Sequence, residues 1–290
     1  MRVSAYDKFK VTQNYISDIQ YQTQKKQEQI ATGKIFNKVS DDPVRVNRSM
    51  IIASTESRVS QYQDNISDAK SMLEYIDTVY ENTTSNLQEA QKIAIKGAND
   101  TYSSADRGVM ADNIEETIKQ IVGFANSQHL DRYMFSGQKL DTKPIDYDGT
   151  SFTYNGNNRD MVINASEEVE VKVSQSAEDV FVPVLNQLVK LRDALRSDDQ
   201  SQIETAMNDL NTATNDFIDN RSKVGVQLQS MDLLSEAYSQ TKTDLTVKKQ
   251  ETESVDMAAA ITDFTYLQTI YQATVKSSLN MLKNSILDYI

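Results

Sequence analysis

A helical stripe runs through Ser254 to Ile290, SVDMAAAITDFTYLQTIYQATVKSSLNMLKNSILDYI. Wound at about 100° per residue, Met257, Ile261, Phe264, Leu267, Tyr271, Val275, Leu279, Leu282, Ile286 and Tyr289 share one face. Ile270 and Met281 lie well round from that face, so one partner cannot cover everything apolar. The far side is polar and nearly uncharged, with Gln268, Thr269, Gln272, Ser277, Asn280 and Asn284. Terminal residues usually have too few contacts to offset the entropy of ordering them. A stripe that continues to the last residue therefore needs something packed against it.

The first residues supply a mate. Ala5, Phe9, Thr12, Ile16, Thr23 and Ile30 fall on one face of a helix over 1–32, with Phe9, Ile16, Thr23 and Ile30 spaced by sevens. Gln13, Gln20 and Gln27 stand beside them, so this helix alone is marginal in water. The two ends are expected to pair with each other and to turn their remaining apolar faces toward other copies of the chain.

Composition narrows the class. Only three prolines and eight glycines interrupt 290 residues, which favours long helices. A formal charge of −12 argues against a nucleic-acid partner, which needs clustered lysine and arginine. Cysteine is absent, so disulfides and thiolate metal sites are excluded. The opening residues lack the apolar region of a cleavable signal peptide, and no run is long enough to span a membrane. Secretion by the general route is not expected, whereas a specialised export route stays open.

Between the ends, the layout is nearly symmetrical. Gly33 can end the first helix in the left-handed conformation, Asp42 suits an N-cap, and Pro43 suits the first helical position. The paired Asp41 and Asp42 read as caps rather than an acid–base site, since neighbours in sequence do not converge on one atom. A long seam then runs from Val44 to about Gly97 through Ile66, Leu73, Ile76, Tyr80, Leu87, Ala90 and Ala94. Ser104 is expected to cap the next helix, through about Asn126. In the middle, Phe152–Tyr154 and Met161–Ile163 flank Asn155-Gly156-Asn157-Asn158 and predict a hairpin, with Val169–Val173 as a third strand. Helix returns from about Glu178 to Arg196. A second long seam runs from Ile203 through Phe217, Arg221, Val224 and Met231 to Leu245, at gaps of three and four. The expected fold is mainly α. It has a long antiparallel, coiled-coil-like bundle, paired N- and C-terminal helices, and a small central β insert. The expected domains are a terminal assembly domain (1–40 and 254–290), a long-helix core (41–137 and 177–253) and the insert (138–176).

No catalytic set emerges. The lone histidine, His129, stands among exposed polar residues, and no nucleophile elbow, phosphate loop or dinucleotide glycine pattern occurs. No histidines and carboxylates have metal-ligand spacing. No enzyme activity and no cofactor are expected. A signalling module would need a membrane span, and a stand-alone effector would not need two assembly-competent ends. A self-assembling fibre subunit accounts for more of the sequence.

Several motifs sharpen that reading. Thr32-Gly33-Lys34 through Ser40-Asp41-Asp42-Pro43 is similar to the signature that follows the first helix in the flagellin superfamily. Arg132-Tyr133-Met134-Phe135-Ser136-Gly137, followed by Lys139 and Pro144-Ile145, resembles the motif of its hook–filament junction branch, as do Arg221–Gly225 and the closing Ser285–Ile290. Met134 and Ser136 are modest departures. Flagellin itself generally lacks the pattern spanning Tyr133, Phe135 and Gly137. Filament flagellin and other coiled-coil appendage subunits are the alternatives. The resemblance implies a structural protein exported by the flagellar type III apparatus with an export chaperone. It implies a ring of own copies between the first hook-associated protein and flagellin, outside the cell, without membrane insertion. The expected assembly interface is Phe9, Ile16, Ile30, Phe264, Leu267, Tyr271, Val275, Leu279, Leu282 and Ile286.

Overall fold

A computed structural model describes the backbone of residues 5–287 and the side chains of residue 7 and of residues 9–280. Among the described residues there are six α-helices and six short strands, the strands forming three two-stranded sheets. The fold is therefore mainly α with a small β insert, as the periodicity predicts. The chain divides into two compact units, residues 1–58 with 242–290 and residues 59–241.

The first unit holds α1 (Ala5–Thr32), the start of α2 (Pro43–Gly97), the end of α5 (Gln200–Glu253) and α6 (Met257–Leu287). Helices α1 and α6 pack on each other. Gly33 ends α1 at φ 70°, and its N–H donates to the Gln29 carbonyl at 2.9 Å. Asp42 caps α2, its carboxylate accepting the Arg45 N–H at 3.0 Å, with Pro43 first in the helix. Asp41 instead closes the preceding loop, accepting the N–H groups of Asn37 and Lys38 at 3.1 and 3.0 Å. Both aspartates thus take up main-chain donors. The segments after α1 and before α6 form an antiparallel bridge. Ile35 N–H donates to the Glu253 carbonyl at 2.7 Å, and Val255 N–H to the Gly33 carbonyl at 2.9 Å.

The second unit, by itself, carries the main core. Helices α3 (Ser104–Ala125) and α4 (Ala177–Ser197) pack together, with Ile114, Ile118, Ile121, Leu185, Leu188, Leu191 and Leu195 wholly buried. The seams of α2 and α5 join them through Leu73, Ile76, Tyr80, Leu210, Phe217 and Val224. Burying one such side chain is worth about 1.5–3 kcal/mol, so this unit is stabilised from within. The N-cap of α3 is Ser103 rather than the expected Ser104. Asp106 lies three residues on, and its N–H bonds the Ser103 hydroxyl while its carboxylate takes the Ser103 N–H. That reciprocal box selects the earlier serine.

The insert differs from expectation in its pairing. Strands β1 (Gln128–His129) and β2 (Arg132–Tyr133) form one hairpin, β3 (Ile145–Tyr147) pairs with β4 (Phe152–Tyr154), and β5 (Val162–Asn164) pairs with β6 (Glu170–Lys172). The Asn155–Asn158 segment does not close a hairpin, so β4 and β5 are not partners. Its donors and acceptors are already engaged: Asn157 N–H bonds the Ser136 carbonyl at 3.1 Å, and its side-chain oxygen accepts the Gln138 N–H at 2.8 Å. The turns that do close are built on Asp148, which accepts the N–H groups of Thr150 and Ser151, and on Ser166, which accepts those of Glu168 and Val169.

Candidate assembly interface

The predicted terminal seam is only half covered. Ile16 and Ile30 on α1, and Phe264, Leu267, Tyr271 and Val275 on α6, are half-buried. Phe9 and Leu279 remain 42% and 55% exposed. The side chains of Leu282 and Ile286 lie outside the described residues. Among those described, Ala260 is the one apolar side chain of α1 or α6 that is fully buried. Polar contacts between described residues of the pair include Gln20 Nε2 donating to the Tyr271 hydroxyl at 3.0 Å and Lys26 standing 2.9 Å from Asp263. Surface pairs of this kind contribute at most about 1 kcal/mol each. Tyr15, Tyr21, Ile261 and Tyr266 point outward and stay exposed.

Ile19 on α1, and Ile270, Thr274 and Ser278 on α6, are also half-buried, though none belongs to the predicted face. Steps of four put the last three in one row, beside Leu267 and Tyr271. The covered side of α6 is thus centred about 50° round from the predicted stripe. Ile261 and Leu279, at the far edge of that stripe, are left in the open. Helix α6 therefore presents apolar surface over more than one face, and α1 covers only part of it.

The bridge at the foot of the pair centres on Glu253. Its carboxylate lies 2.8 Å from Lys34 Nζ and accepts the Ser49 hydroxyl at 2.6 Å. The Lys34 ammonium, then the Ser49 hydroxyl, hold this carboxyl below the usual glutamate range. Asn37 and Lys38 amides, with Lys25 beside them, do the same for Asp41.

The residues of the second motif are structural anchors in the other unit. Met134, Phe135 and Ser136 are buried, and the Phe135 ring meets Phe181 edge-on at 4.9 Å within a cluster that includes Tyr80 and Phe217. Tyr133 N–H bonds the Leu140 carbonyl at 2.8 Å. Gly137 has φ 68°, and a Cβ there would run into the Asn157 carbonyl oxygen. Sequence reading missed an ion network in the same unit. Arg192, 3% exposed, lies 2.6 Å from Glu115 and donates to the Tyr147 hydroxyl at 2.7 Å and the Gly149 carbonyl at 2.8 Å. This fixes the β3–β4 hairpin to α3 and α4.

Comparison with known proteins agrees with this anatomy. The family of the bacterial flagellin N-terminal helical region matches residues 3–140. Flagellar hook-associated protein 3 of Escherichia coli is 23% identical over 97% of this chain and 97% of its own length. Among solved structures, a candidate flagellar hook-associated protein from Vibrio parahaemolyticus superposes with a TM-score of 0.67 at 22% identity, covering 74% of this chain and 100% of the other. FlgL of Bacillus cereus gives 0.62 at 22% identity, over 69% and 99%. The Tyr133–Gly137 anchor, the capped loop at Gly33–Pro43 and the end-to-end match point one way: the chain is a homologue of flagellar hook-associated protein 3 whose residues 3–140 match the bacterial flagellin N-terminal helical region.

Proposed function

We propose that this chain is the structural subunit of the bacterial flagellum that forms the junction ring between the first hook-associated protein, at the hook tip, and the flagellin filament. It works by assembly and not by catalysis. The observation that carries this reading is the half-covered α1–α6 pair. Among the described residues its apolar seam has no closed core of its own, yet the match to hook-associated protein 3 extends over both helices. Such a surface is completed by neighbours: other copies in the ring, the first hook-associated protein below and flagellin above. Ordering a residue costs about 1–2 kcal/mol in backbone entropy, and intersubunit burial offsets this for the terminal helices. The division into terminal domain 1–40 with 254–290, core and insert follows the same logic, each end being an assembly element. Delivery runs through the flagellar type III apparatus with an export chaperone.

Immunogold labelling of isolated hook–filament complexes tests the reading. Label is expected in one band at the junction, and deletion of the gene is expected to leave hooks without filaments. Label along the whole filament would make the chain a flagellin instead.

A further inference from the structure

The β1–β2 hairpin has an unusual turn. Both of its central residues, Leu130 and Asp131, have positive φ, 50° and 61°, with His129 opposite Arg132 in register. Such turns favour asparagine or glycine, because other side chains crowd the backbone there. Leucine at the first position is doubly disfavoured, since its side chain is 79% exposed. Neither backbone preference nor burial within the chain accounts for it, and strain of this kind concentrates at working surfaces.

The base of the hairpin is held firmly. The His129 ring lies 4.9 Å from that of Tyr75, and its Nε2 lies 3.4 Å from the Ser71 hydroxyl, both on α2. On the α2 wheel, Ser71 and Tyr75 stand about 130° round from Lys70 and Asp77. Those two pair with Asp232 and Arg221 of α5. The hairpin and α5 thus flank α2 on different sides. Helix α5 bears a second exposed apolar feature. Val224 and Met231 are buried, while Val226 and Leu233, each two residues later and so about 200° round, are 67% and 64% exposed.

We propose that the Leu130 tip seats against the Val226–Leu233 strip of the next copy of this chain. Two different surfaces on two flanks make a head-to-tail contact, which can repeat around a ring, whereas a two-fold contact would need one self-complementary patch. The charges agree. Asp131 and Arg132 stand at the tip, and Lys223, Asp219 and Glu236 border the strip on α5, so the tip's acid and base each have an opposite charge available there. The contact rests on the junction-ring reading and adds to it a lateral surface distinct from the terminal helices.

The chain lacks cysteine, so Leu130→Cys with Leu233→Cys introduces only the pair in question. Mild oxidation of assembled flagella is expected to give a ladder of multimers from the double variant and none from either single variant. Leu130→Cys with Val226→Cys is the second pair. The proposal is overturned if neither pair gives a ladder in flagella that assemble normally, or if Leu130→Cys alone gives a dimer. A second measurement is independent of cross-linking. Asparagine suits the turn, so Leu130→Asn is expected to raise the Tm of the purified protein by roughly 2–4 °C while reducing motility. A lowered Tm with full motility counts against the contact. Loss of junction labelling by the unaltered protein would instead remove the ring reading itself.

Discussion

The Ile35 backbone N–H donates to the Glu253 carbonyl at 2.7 Å, joining the segment that leaves α1 to the segment that enters α6. The Glu253 side chain reinforces that join through Lys34 and Ser49. Its carboxyl is depressed in the folded chain, so its contribution is present above the ordinary glutamate pKa, near 4.3, and is lost as pH falls through and below it. Asp41, Asp106, Asp146 and Asp148 are depressed as well, so the comparison must be made with Glu253→Gln. The Tm difference between the two proteins is expected at pH 7 and should shrink as pH falls through the depressed pKa of Glu253. A difference independent of pH would show that the charge on Glu253 does not matter.

A charge in the terminal seam separates folding from assembly. Leu267 is half-buried on α6 and belongs to no large core. Leu267→Asp is expected to leave the main cooperative thermal transition within about 1 °C. It should still abolish filament attachment, since an unpaired carboxylate in a closed apolar contact costs several kcal/mol. Calorimetry and a swimming assay read the two outcomes separately.

Arg192 tests how firmly the insert is fixed. Removing it strands Glu115 and leaves the Gly149 carbonyl and Tyr147 hydroxyl without this donor. Arg192→Met is expected to destabilise the folded chain by about 3 kcal/mol. Adding Glu115→Gln should recover part of that loss, because the buried charge is then gone. Urea denaturation of both variants supplies the comparison.

Two glycines of the family motifs should respond differently to alanine. Both have positive φ, but Gly33 has open space where a Cβ would sit, whereas Gly137 faces Asn157. Gly33→Ala is expected to cost about 1 kcal/mol from conformation alone. Gly137→Ala should cost at least twice as much, because backbone must also move. Equal losses would contradict the packing described around Gly137.

The helices were legible because long runs of apolar residues at three and four residue gaps admit no other reading. Strand pairing was not. Asn155–Asn158 has the composition of a turn, but Ser136 and Gln138, nearly twenty residues earlier, claim its hydrogen bonds. A local signal lost to a distant partner. For the terminal helices, periodicity identified a face without fixing how much of it a partner covers, so Phe9 and Leu279 could be named but their exposure could not. Arg192 was overlooked because a cation is not sought on a buried face. Its spacing of four from Leu188 and three from Leu195 nevertheless places it there.

The shallow burial along α1 and α6 has a mechanical corollary. A pair held by partial contacts and exposed polar links yields to tension applied at its ends by unzipping, one turn after another, at low force. The densely filled layer of α3 and α4 must instead rupture all at once. A single chain stretched from its extremities should therefore lengthen gradually before it shows one abrupt rip.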